Sequence, residues 1–256
     1  MNKPTTAPAA SGRVSWRRYL PPLIFLGWWD MFTRLFGGGT YQNYLHPKLG
    51  WLILLGWVIT ALFLVGAMAA LLARKHAIVP RSTAEALVLI VPFFYVFLGT
   101  DTGLRSGALS GRVLWNVFDG LPPPPAAASA EADDIVSAKE LNLLQLWNMA
   151  RSKEAPPQCV SISGMYYRDQ KAPVGTFLLF RYALSCCAAD AQPVMIPVRV
   201  QKYNVFTNDA WVRVEGTVSI FTNTQGIVIP LVGALHTQCI PSPSRKEQYL
   251  YPTMSW

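Results

Sequence analysis

Charge is scarce in this chain. Asp, Glu, Lys and Arg make up 14% of its 256 residues, and hydrophobic residues 52%. An average globular domain carries roughly 25% charged residues. Histidine is scarcer still: His46, His76 and His236 are the only three. They fall ahead of an apolar run, in a basic stretch and in the C-terminal half, so no histidine-rich metal cage forms. The four cysteines, Cys159, Cys186, Cys187 and Cys239, contain no C-x-x-C, which removes the zinc-ribbon and thioredoxin patterns. Also missing are G-x-S-x-G, the P-loop, H-E-x-x-H and the dinucleotide fingerprint. These absences point to a protein that is not an enzyme.

What is there is unevenly spread. Residues 1–120 carry 11 Lys/Arg against 4 Asp/Glu, and residues 121–256 carry 11 against 10. The excess of positive charge therefore flanks the apolar runs of the first half, as in a membrane protein. A nucleic-acid reader would put it on its soluble domain, and the near-neutral second half excludes that partner.

The first 12 residues are rich in Ser, Thr, Ala and Pro and read as disordered. An apolar span over roughly Leu20–Phe36 follows Arg13, Arg17 and Arg18, and is expected to be a retained helix rather than a signal peptide. Asp30 and Arg34 lie one helical turn apart within it, as an interfacial ion pair. Leu49–Ala73 is 25 residues without a charge, enough to cross a bilayer. A third run, Ala86–Thr100, contains Pro92 and crosses or re-enters. With three crossings, the chain is a multi-pass inner-membrane protein with an extracytoplasmic C-terminal domain.

These readings divide the chain into a transmembrane domain (1–120), a Pro/Ala linker (121–130) and a C-terminal domain (131–256). The linker, LPPPPAAASA, is stiff. An amphipathic helix is expected over Asp133–Lys153, with Ser137 and Glu140 at capping-box spacing. From Gln158 the apolar period becomes two, giving strands over Cys159–Tyr167, Phe177–Cys187, Ile196–Lys202, Trp211–Phe221 and Ile227–His236. Five short strands in this space predict a barrel of the oligonucleotide/oligosaccharide-binding (OB) type, with the tail from Pro241 lying over it.

One stretch stands out chemically. Alternation along Phe177–Cys187 points Cys186 toward a core and Cys187 toward polar partners, and Asp190 follows closely. Three readings remain open. Thiolate, carboxylate and imidazole all ligate soft or borderline divalent ions, so Cys187 and Asp190 are candidate ligands for such a metal. Cys186 joins them only if the chain bends, and His236 and Cys239 at the end of the last strand are further candidates. A strained vicinal disulfide would instead make a labile redox pair. The third reading is structural, with buried cysteines and Asp190 capping a turn.

Several stretches resemble the YcgQ-like family of bacterial membrane proteins, described as permease subunits. They are Tyr44-Leu45-His46-Pro47, Val160-Ser161-Ile162-Ser163-Gly164 with Tyr167-Arg168-Asp169, Phe180-Arg181-Tyr182, Ser185-Cys186-Cys187-Ala188-Ala189-Asp190-Ala191-Gln192-Pro193, and Asp209-Ala210-Trp211-Val212 with Val214-Glu215-Gly216. The resemblance implies a membrane anchor, a C-terminal β domain, and a larger polytopic permease as partner, with metals or metalloids as cargo. The expectation is thus a non-catalytic accessory subunit. The alternative is a stand-alone membrane-tethered metal or thiol-redox sensor.

Overall fold

The computed structural model describes residues 19–73, 90, 103–109, 117–123, 138–152, 154–168, 172–201 and 206–252. Its Cα framework divides into two compact units. The first comprises residues 1–38 and 51–100, the second residues 39–50 and 101–256.

In the first unit, α1 (Leu20–Gly37) packs on α2 (Gly50–Leu72). Phe25 stacks on Phe63 with centroids 5.4 Å apart, and the Trp57 indole N–H donates to Thr33 Oγ1 at 2.9 Å. Gly56 permits the approach, since a Cβ there would lie 2.9 Å from the Phe32 ring. Asp30 and Arg34 form the expected exposed ion pair, at 2.8 Å.

The expectation of three spans needs correction. Among the described residues one helix is long and apolar enough to cross a membrane, over Pro47–Leu72. It is apolar all round, the pattern of a helix in an apolar surrounding. The first expected span does form a helix, but Pro21, Pro22, Asp30 and Arg34 dilute its apolar content. The run Ala86–Thr100 lies outside the described residues, save Ile90.

The second unit is built on a closed five-stranded barrel. Its strands are β2 (Cys159–Tyr167), β3 (Thr176–Ala183), β4 (Gln192–Val200), β5 (Trp211–Thr222) and β6 (Val228–Cys239), with a two-residue β1 (Lys139–Glu140) added beside β2. The order is β2-β3-β4-β6-β5, closed by β5 on β2. Only β4 and β6 pair in parallel within the barrel. This Greek-key order is that of an OB-like barrel. Pro193 and Pro197 fit in β4 because β3 alone flanks that half of it, leaving a free edge for the missing N–H groups. Between Glu215 and Gly216 the β5–β6 register shifts. A Cβ at Gly216 would collide with the Gly233 carbonyl.

The helix before the barrel, α3 (Leu143–Ser152), is shorter than the expected Asp133–Lys153. Glu140 lies in a strand, and Ser137 is outside the described residues. The capping box is instead Asn142–Gln145, where each side chain accepts the other's backbone N–H at 2.8 and 2.9 Å. Leu143 and Leu146 are fully buried and join Val160, Ile162, Phe177, Leu179 and Val214 in the barrel interior.

A second apolar layer covers the outside of β3. Leu178, Phe180 and Tyr182 pack there with Leu109, Val117 and Tyr249. Both faces of β3 are therefore buried, where one polar face was expected. The tail forms a short α4 (Arg245–Gln248). Leu250 then bridges Ala183, with Leu250 N–H donating to Tyr182 O and Leu184 N–H to Leu250 O. Arg181 fastens this tail: its guanidinium donates to Gln248 O at 3.3 Å and Tyr249 O at 3.4 Å, and lies over the Trp211 ring.

Candidate metal centre

β3 ends at Ala183 and the backbone turns through Leu184–Cys187 into a 3₁₀ turn, Ala188–Asp190. Asp190 makes that turn. Its carboxylate accepts the N–H groups of Ser185 (3.3 Å), Cys186 (2.8 Å) and Cys187 (3.4 Å). A carboxylate collecting three backbone donors is a local fold that short-range sequence can specify. The expected extended strand to Cys187 is therefore cut short.

The bend reverses one expectation and fulfils another. Cys186 is exposed and Cys187 half-buried, so Cys186 does not enter the core. Because the chain bends, both sulfurs and the Asp190 carboxylate come to one place, each donor atom within 4.8 Å of the others. Asp190 thus serves as a turn cap and a potential ligand together. His236 and Cys239 do not join this group. They sit on β6 opposite Glu215 and Val212 of β5, and Cys239 is exposed while Cys159 is buried. All four cysteines are free thiols.

The electrostatics follow from the carboxylate. Its hydrogen bond, then that of Cys187, pushes the Cys186 thiol up to about 11. Asp190 is held below the usual carboxylate range, first by the Cys186 thiol, against the opposing effect of burial, with the three backbone N–H groups adding to the lowering. The proton thus rests on sulfur and the negative charge on oxygen.

As a donor set, two thiols and one carboxylate suit a soft or borderline divalent cation. Cys186, Cys187 and Asp190 would hold it, and three protein donors leave a tetrahedral ion one open position. The cation would draw both thiols into the thiolate form and bring a Lewis-acidic centre to the barrel surface.

The sequence reading missed what lies against the other side of this turn. Residues Tyr44–His46 pair with it: His46 N–H donates to Cys186 O at 2.9 Å, and Ala188 N–H donates to Tyr44 O at 2.8 Å. Leu45 and Cys187 are the antiparallel bridge so formed. His46 is 8% exposed and its ring meets the Tyr251 ring edge-on. Its Nδ1 accepts the Lys48 N–H at 3.1 Å. Burial, then Lys48, holds the imidazole below its ordinary range. The Tyr249 hydroxyl links this segment to another, donating to Asn43 O and accepting the Leu104 N–H. No short-range pattern announces such pairing across 140 residues of chain.

No curated protein matches this sequence. The part that carries the cysteine turn does match a family: residues 154–252, which span the barrel and its tail, match the DUF1980 C-terminal domain.

Proposed function

We propose that the chain is a membrane-anchored accessory subunit that presents a thiol site for a soft or borderline divalent cation to a larger permease. The observation that carries this reading is the exposed turn on which Cys186, Cys187 and Asp190 bring their donor atoms within 4.8 Å. A partly exposed three-donor site is suited to exchange: a fourth ligand from a partner can enter without unfolding the barrel. A closed site with four protein ligands retains its metal. The apolar helix over Pro47–Leu72 supports attachment to the bilayer. Among the described residues, one such helix with one short companion is a poor basis for a self-sufficient transporter, which favours a subunit.

The test is Cd²⁺ or Zn²⁺ titration of the full chain in detergent under reducing conditions, with mass spectrometry of what co-purifies from native membranes. One ion per chain, lost in Cys187→Ser, together with a stoichiometric polytopic partner, is the expected result. No ion binding defeats the metal site. Ion binding without a partner replaces the subunit by the stand-alone metal sensor.

A further inference from the structure

The cysteine pair is held from two sides. On one side Asp190 collects the N–H groups of residues 185, 186 and 187. On the other, the segment Tyr44–His46 bonds the Cys186 carbonyl and the Ala188 N–H. These two groups belong to the peptide units immediately before and after Cys187. In chain order, the same segment runs through His46-Pro47 into the apolar helix that begins at Gly50.

A tetrahedral ion at about 2.3 Å from each sulfur sets neighbouring ligands about 3.8 Å apart. The donor atoms here are separated by up to 4.8 Å. Closing on an ion draws the Cys186–Cys187 segment inward, and the two peptide groups bonded to Tyr44–His46 are in that segment. A segment already fixed at both flanks has less conformational entropy to lose on binding than one fixed at a single flank.

We propose that the segment Tyr44–His46 and the Cys186–Cys187–Asp190 site are coupled: the docked segment tightens ion binding, and the ion tightens the docking of the segment. This rests on the metal-site reading above and adds its regulation. Occupancy of the site is thereby transmitted to the segment that leads into the membrane helix. Linkage requires both effects to have the same factor, and couplings of this kind are typically about 5- to 150-fold.

The backbone of His46 permits a clean test. Its φ of −57° is that of proline, so His46→Pro deletes the N–H and its bond to Cys186 O without changing φ at residue 46. His46→Ala removes the ring but keeps the N–H. With the full chain in detergent and Cd²⁺ as probe, we expect His46→Pro to bind at least about fivefold more weakly than His46→Ala. In the unsubstituted chain, Cd²⁺ is expected to slow hydrogen exchange at the His46 and Ala188 amides by a similar factor. That comparison stands whether or not His46→Pro folds, and exchange at β2 and β5 amides reports folding. If Cd²⁺ binds but leaves both amides unchanged, the coupling is refuted and the metal site survives. If the unsubstituted chain binds no Cd²⁺, or Cys186→Ser binds as well as it does, the metal site fails and the coupling with it.

Discussion

Asp190→Asn tests how the carboxylate governs the neighbouring thiol. The asparagine side chain retains an Oδ1 to accept the Ser185 and Cys187 N–H groups, while its NH2 replaces the Oδ2 that accepts the Cys186 N–H, so the perturbation removes the charge together with one turn bond. With that charge present the Cys186 thiol sits at about 11. Without it, an exposed thiol returns toward about 8.5, so near pH 7.5 the thiolate fraction rises by more than two orders of magnitude. A less basic thiolate is also a weaker nucleophile: with a Brønsted slope of about 0.4–0.5, it loses roughly a factor of ten in attack on a disulfide. The net expectation is exchange with an aromatic disulfide roughly ten- to thirtyfold faster. The assay uses the chain with Cys187→Ser and Cys239→Ser, which leaves Cys186 as the exposed thiol beside buried Cys159. Because Cys187 also helps to raise the Cys186 thiol, the roughly ten- to thirtyfold gain is an upper bound in this chain. Salt dependence serves as a control, since an exposed carboxylate acts through screened charge. An Asp190→Asn rate equal to or below the parent's, with the turn intact, would show that the carboxylate does not control the thiol.

Other predictions concern the barrel and its clasps. Gly216→Ala places a Cβ against the Gly233 carbonyl and 2.9 Å from the Ala234 Cα. Backbone on both sides leaves no room to yield, and thermal unfolding is expected to show a loss of several kcal/mol or no folded protein. Leu146→Ala empties a fully buried position and is expected to destabilise by about 2–5 kcal/mol, measured by denaturant titration. Asn142→Ala removes the helix cap at a cost of about 1 kcal/mol, seen as earlier exchange of the first α3 amides. For His46 the sign follows from its lowered folded value. The unfolded chain takes up its proton near pH 6.5 and the folded chain only at lower pH. Its stabilisation is thus present above about 6.5 and is lost as pH falls through the folded value. Melting temperature should drop from pH 7.5 to 5, and this component should vanish in His46→Asn.

How much was legible depends on range. Strand Cys159–Tyr167 and the start of the fourth barrel strand at Trp211 were readable because alternation there reflects a barrel with one face inside. β3 misled for a physical reason: its outer face is covered by Leu109, Val117 and Tyr249, residues far away in sequence, so its apolar alternation did not mark the solvent side. The shorter α3 was in principle readable, since Asn142 and Gln145 have the spacing of a reciprocal cap. Ser137–Glu140 has the same spacing, and nothing local distinguishes the two. Tertiary pairing did, by placing Glu140 in a strand beside Ser161.

The sequence by itself determined the apolar helix, the five-stranded domain and the closeness of Cys186, Cys187 and Asp190. Each depends on period, composition or neighbours within a few residues. Only the tertiary structure decided that His236 and Cys239 stay apart from them on β6 and that Tyr44–His46 fastens to the turn. Those outcomes rest on backbone hydrogen bonds between distant segments. The N–H and C=O groups that make them are the same in every non-proline residue, so side-chain identity leaves no local trace of which partner they find.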